Sequence, residues 1–118
     1  MTAPTERPAG RPDNPAAPSG ELTVTSVFTV TEQHQDQLYA LLTANGHDVL
    51  EHTPGFLGST LTRSDDGRHV IHHARWRDDE ALAAMLASPG GRSSMAASRL
   101  LADVRVFRSH HTQAFDAS

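Results

Sequence analysis

The chain predicts an α+β domain of ferredoxin-like order, β-α-β-β-α-β, with an antiparallel sheet and both helices on one face. Two observations carry that prediction. Four short stretches rich in β-branched residues alternate in polarity, as half-buried strands do. Two segments with apolar residues at helical spacing separate the first stretch from the second and the third from the fourth.

"LTVTSVFTV", Leu22–Val30, is the first strand. Alternation places Leu22, Val24, Ser26, Phe28 and Val30 on one face and Thr23, Thr25, Val27 and Thr29 on the other. Thr31 is positioned to cap a helix running to about His52, with Glu32 favourable in its first turn. Leu38, Leu41, Leu42, Asn45 and Val49 form one stripe of that helix, with His34 and His52 near its ends. Gly46 is its weak point, costing about 1 kcal/mol relative to Ala. Thr53-Pro54-Gly55 ends it. "FLGSTLTRS" is the second strand and "RHVIHHARW", Arg68–Trp76, the third, antiparallel to it across the turn residues Asp65-Asp66-Gly67. Asp78 is placed to cap the next helix, with Asp79 and Glu80 near its positive end and Ala81, Leu82, Met85 and Leu86 as its apolar face. "SPGG", Ser88–Gly91, interrupts, and a second helical piece runs to about Ala102. "DVRVFRSHH", Asp103–His111, is the fourth strand. The helix-free sheet face bears Thr23, Val27 and Ile71, which invites burial against a second copy, so a homodimer is expected.

At 118 residues there is room for one ordinary domain. Mean hydropathy is low at −0.44, chiefly because of the first twenty residues. Five of the seven prolines lie there, and no large aliphatic residue beyond Met1. Residues 1–20 are therefore expected to be a disordered tail, 21–113 the folded domain, and 114–118 a short tail. Residues 1–20 contain no apolar core of a signal peptide, and no run approaches the roughly eighteen apolar residues of a membrane helix. With a net charge of −4, no Lys and ten scattered Arg, the chain lacks the basic stripe of a nucleic-acid binder. Zero Cys excludes disulfides and thiolate metal sites and fits a cytoplasmic location.

The third strand holds three of the eight histidines and the single Trp. Alternation sends Val70, His72, Ala74 and Trp76 one way and His69, Ile71, His73 and Arg75 the other. His72 and His73 therefore cannot converge on one metal ion within a regular strand, and His110 and His111 face the same obstacle. A cross-strand pair of His72 with His110 or His111 is the remaining metal geometry, but no helical H-x-x-x-H motif or adjacent carboxylate supports it. No metal is expected. The face holding His72, Ala74 and Trp76 suits a partly apolar pocket beneath the helices, with Ser26 and Asn45 as polar groups aimed into the same space and Phe28 and Met85 as apolar contacts. The plainer reading makes Trp76 a core residue and His72 a satisfied hydrogen-bonder. His34, His47 and His52 read as solvated.

"TPGFLGSTLTRSDDGRHVIHHARWRDDEAL", Thr53–Leu82, and "AAMLASPGGRSSM", Ala83–Met95, resemble the antibiotic biosynthesis monooxygenase domains of the dimeric α+β barrel superfamily. Shared features are a Pro-Gly-Phe entry to the second strand, a third strand ending in Trp, an acidic helix start and a Leu-Ala-Ser-Pro-like break. The likeness runs from about Leu22 to Phe107. It implies a cofactor-free oxygenase acting with O2 on aromatic polyketide or quinol-like compounds, with a pocket between helices and sheet and a dimer through the open sheet face. In the anthrone-oxidising members an Asn-Tyr-Ala-Gln-Trp-like motif closes the third strand, and its Asn and Trp line the site. Here the run is "HHARW": Trp76 is retained and His72 stands at the Asn position. The haem-degrading branch uses an Asn on the first strand, where Ser26 stands here, and a His on the second helix, whereas no His occurs from Arg77 to Ser109.

The expected chemistry is oxidation of a phenolic, anthrone-like or quinol-type aromatic, with His72 as general base because imidazole titrates near neutrality. Trp76 would be a stacking wall, Asn45 or Ser26 would hold the oxyanion, and Arg92 or Arg99 would stabilise it from the broken helix. The alternatives are a polyketide cyclase or isomerase using the same pocket without O2, and a non-catalytic dimer that binds a small ligand.

Overall fold

The computed structural model describes residues 20–117. All of the predicted N-terminal tail except Gly20 therefore lies outside the described residues. The elements are β1 (Leu22–Thr29), α1 (Gln35–Asp48), β2 (Phe56–Arg63), β3 (His69–Trp76), α2 (Asp79–Ala87), α3 (Pro89–Leu101) and β4 (Asp103–Ser109), with a 3-10 turn over Leu50–His52 after α1. The sheet order is β2-β3-β1-β4 with every neighbouring pair antiparallel. This is the ferredoxin-like arrangement that the order of elements predicts. None of the helices among the described residues is long and apolar enough to cross a membrane.

Local chemistry sets most of the boundaries. Gly67 closes the β2–β3 hairpin at φ 78°, a conformation that suits glycine, while Asp66 Oδ1 accepts the Arg68 amide at 2.8 Å. Asp78 caps α2 by accepting the Ala81 amide at 2.8 Å. Ser88 caps α3 by accepting the Gly91 amide at 3.1 Å, and Pro89 occupies the first helical turn, where no amide donor is needed. The "SPGG" break is thus a junction between two helices.

Four expectations need correction. Thr31 is not the cap of α1, which begins four residues later, behind His34, without a side-chain cap. The reason is Gln35, which is buried and donates its amide to the carbonyls of Ser64 and His69 at 2.9 and 3.0 Å, tying the start of α1 to the hairpin. The helix also stops at Asp48 rather than His52, and Thr53 covers the freed Val49 carbonyl with a 2.7 Å hydroxyl bond. β4 stops at Ser109 because Ser109 Oγ takes the His111 amide at 2.9 Å, drawing the chain out of the ladder. Finally, Thr23 is not bare. It is only 8% exposed, and its hydroxyl lies 3.1 Å from that of Thr112 in the segment after β4.

The layer between sheet and helices holds two apolar clusters. One packs Leu22, Val24, Ala74 and Trp76 against Leu50 and the α2 residues Ala81 and Leu82. Phe56 meets Trp76 edge-on there, with ring centroids 5.3 Å apart. The other packs Phe28, Val30 and Val70 against Leu38 of α1.

Two glycines give opposite predictions for stability. Gly46 lies inside α1 with no atom near the place of a side chain, so Gly46→Ala should stabilise by about 1 kcal/mol. Gly55 holds φ 86° and a Cβ there would collide with that of Ala81, so Gly55→Ala should destabilise by more than about 1 kcal/mol. Urea midpoints of the two variants should move in opposite directions.

Candidate active site

The β1–β3 register pairs Val24 with Ala74, Ser26 with His72 and Phe28 with Val70, and β4 continues these rows with Arg108, Val106 and Val104. The rows containing Val24 and Phe28 feed the two apolar clusters. The middle row, His72–Ser26–Val106, belongs to neither. Above it lies a cavity of about 210 Å³ between the sheet and the three helices. Its floor comes from alternate residues of β1, β3 and β4. From above, α1 contributes Leu42 and Asn45, while α2 contributes Leu82, Met85 and Leu86.

His72 sits on this floor, half-buried, with no hydrogen-bond partner for its ring among the described residues. Burial pushes its pKa below the ordinary imidazole value, and the neighbouring His73 adds a smaller push in the same direction. The ring is therefore neutral at neutral pH and free to accept a proton. Trp76, 1% exposed, forms a wall two residues beyond Ala74, whose methyl group leaves the space open. Asn45 lines the cavity, and its Oδ1 is buried without a hydrogen-bond partner among the described residues. Such an atom carries an uncompensated desolvation cost that a donating ligand removes.

Of the residues singled out from the sequence, Ser26, Phe28, Asn45, His72, Ala74, Trp76, Met85 and Arg99 all line this cavity. Arg92 does not. It shares Arg99's side of α3 but lies two turns earlier, about 10 Å along the axis, and is exposed. Sequence reasoning missed two sets. Gly91, Ser94, Met95 and Ser98 face the cavity at i, i+3, i+4 and i+7, a periodicity obscured by the small, polar character of α3. Val104, Val106 and Arg108 follow from the alternation of β4, which could have been read.

The remaining histidines lie elsewhere. His73 Nδ1 is 3.0 Å from Thr25 Oγ1 on the open face, and His110 Nε2 is 2.6 Å from Asp79 Oδ1 at the start of α2. His34, His47 and His52 are exposed, as expected. Among the described residues, no three His, Asp or Glu side chains are grouped to hold a metal ion.

Comparison with known proteins identifies the family. Residues 22–96 match the pattern of the antibiotic biosynthesis monooxygenase family. The chain belongs to that family. Over 74 residues it is 36% identical to the tetracenomycin-F1 monooxygenase of Streptomyces glaucescens, a match covering 62% of this chain and 66%, just under two thirds, of that protein. Among solved structures it resembles SnoaB, a cofactor-independent oxygenase from Streptomyces nogalater, at 26% identity and a TM-score of 0.68, covering 83% of this chain and 99% of that one. Rv0793 from Mycobacterium tuberculosis shares the fold at a TM-score of 0.70 and 24% identity, covering 84% and 100% of the two chains. The cavity lies between the sheet and the helices.

The depressed pKa of His72 has a thermodynamic signature. The unfolded chain binds that proton more readily, so the contribution is intact above about pH 6.5 and is lost as pH falls through the folded-state value. Below about pH 6.5, the wild-type urea midpoint should fall more steeply than that of His72→Asn, which lacks the titrating ring.

Proposed function

We propose that the protein is a cofactor-independent monooxygenase that oxidises a phenolic, anthrone-like or quinol-type aromatic of polyketide origin with O2. The observation that carries this reading is His72, without a ring partner among the described residues, on the floor of a largely apolar cavity beside Trp76. An electron-rich aromatic, once deprotonated, can reduce O2 itself. The protein then has to bind it, remove a proton and keep bulk water away.

For an anthrone-type methylene the steps balance as follows. His72 takes one C–H proton, and the resulting anion passes an electron to O2. The substrate radical and superoxide combine in a new C–O bond, and the imidazolium returns its proton to the outer oxygen. His72 then removes the second C–H proton as the O–O bond breaks. A carbonyl remains, and the departing hydroxide recovers that proton and leaves as water. One oxygen atom enters the product and O2 is reduced by four electrons in total. Trp76 provides the flat wall, the Asn45 oxygen accepts a phenolic O–H, and Ser26 or Arg99 stabilises the developing oxyanion.

The same reading takes residues 21–113 as the working unit in the cytoplasm, paired with a second copy through the open sheet face. Val27 and Ile71 lie side by side on that face, and Phe107, 53% exposed, extends the apolar surface on β4. This apolar patch, set among the polar Thr25, His73, Arg75 and Arg105, is the part of the face that a partner subunit would cover.

Two experiments test these statements. Anthrones and hydroquinones should be consumed with one O2 per molecule, and His72→Ala should lower kcat by about a hundredfold or more. Turnover without O2 uptake would instead favour the cyclase or isomerase reading, and full activity in His72→Ala would remove it as the base. In solution, the 118-residue chain should run at about twice its monomer mass of 12.7 kDa, and Ile71→Glu should shift it to monomer.

A further inference from the structure

Two hollows meet at one side chain. The first is the cavity above His72. The second, of about 310 Å³, is a cleft on the outer side of α2, lined by Thr53, Pro54 and Arg77 and by Ala81, Ala84 and Ser88. Met85 is the residue that lines both. Helical phase explains why. Leu82 and Leu86 turn toward the cavity, Ala81, Ala84 and Ser88 turn toward the cleft, and Met85 stands on the border between the two stripes.

A methionine at such a border can be mere packing, since a thioether fills irregular gaps. Two observations go further. Met85 has open space on both sides, and its neighbours there are the smallest residues available. Ala81 and Ala84 flank it on α2, and a Cβ at Gly91 would stand 2.9 Å from its sulfur, so the bare glycine leaves the thioether its room. The cavity has its wider opening elsewhere. Its exposed lining residues are Arg99, Val106 and Arg108, at the edge of the sheet formed by β4, whereas α2 packs against Trp76 of β3. A flat aromatic that enters past β4 and fills about 210 Å³ stoppers that mouth. Whatever must follow it needs another way in.

We infer that Met85 is the gate of a second passage, wide enough for a diatomic gas but not for a ring, by which O2 reaches the cavity from the outer cleft of α2 while the aromatic occupies the mouth at β4. An unbranched side chain with free space beside it turns quickly, and an apolar gas needs no polar groups along its path. The use made of the passage rests on the proposed oxygenase reading, but the passage itself does not.

Trp76 is the sole tryptophan, 1% exposed, and Met85 packs against its cluster. Quenching of its fluorescence by dissolved O2 therefore measures gas access without any turnover. Ala84 is exposed and lines the cleft but not the cavity, so Ala84→Phe plugs the passage from outside. The bimolecular quenching constant should fall by about half in Ala84→Phe and rise about twofold in Met85→Ala, which leaves a void in place of the thioether. In turnover, Ala84→Phe should raise KM for O2 by a similar factor and leave KM for the aromatic unchanged. An unaltered quenching constant in Ala84→Phe would overturn the inference. So would a KM for the aromatic that rises together with that for O2, because one mouth would then serve both. A lowered constant without O2 uptake from any anthrone or hydroquinone would overturn the oxygenase reading and leave the passage standing, and O2 uptake with an unaltered constant would do the reverse.

Discussion

Everything at the site depends on the register between β1 and β3. Side chains of a strand alternate with a period of two, so a slip by one residue would move every member of the row to the opposite face. With Ser26 opposite His72, the imidazole and Trp76 lie beneath the helices, while His73 and Arg75 lie on the outside. The apolar demand of the covered face holds that register in place. Leu22, Val24, Val70 and Trp76 are each no more than 8% exposed, and a slip would drive them into water and bring Thr23 and Arg75 inward. The core therefore acts as the positioning device for the chemistry.

The apolar layer is also incomplete, and that incompleteness is the site. Clusters stand on either side of the Ser26–His72 row, one anchored by Trp76 and α2 and the other by Leu38 and α1. The row between them has a hydroxyl and an imidazole where a continuous core would have two aliphatic groups. Asn45 adds a buried amide oxygen without a partner among the described residues. Polar groups gathered without mutual satisfaction cost stability, and proteins tolerate that cost where a ligand will supply the missing bonds.

Much of this was legible in the residues themselves. Alternation on β1 and β3 assigned Ser26, Phe28, His72, Ala74 and Trp76 to one face, and all five line the cavity. The boundaries that failed did so where a distant contact decided them. Nothing local marks Gln35 as the start of α1, because its partners are carbonyls on the far side of a hairpin. The end of β4 was set by a serine hydroxyl competing for a backbone amide, an option that Ser109 always carries but does not announce. Arg92 and Arg99 are equivalent in helical phase. Only the position of α3 over the sheet separates the one that reaches the cavity from the one that does not.

The junction of α2 and α3 has a further consequence. At Gly91 any side chain would run into the Met85 backbone carbonyl, and at Gly90 it would meet the Val49 side chain at 2.9 Å. The two helices are therefore closely packed where they join, and only glycine fits at both positions. What can yield are the thioethers of Met85 and Met95, unbranched and soft, which line the space directly. A change of rotamer at either thioether alters the outline of the cavity without any shift of the backbone, so the adjustable part of its lining is the roof and the regular part is the strand floor.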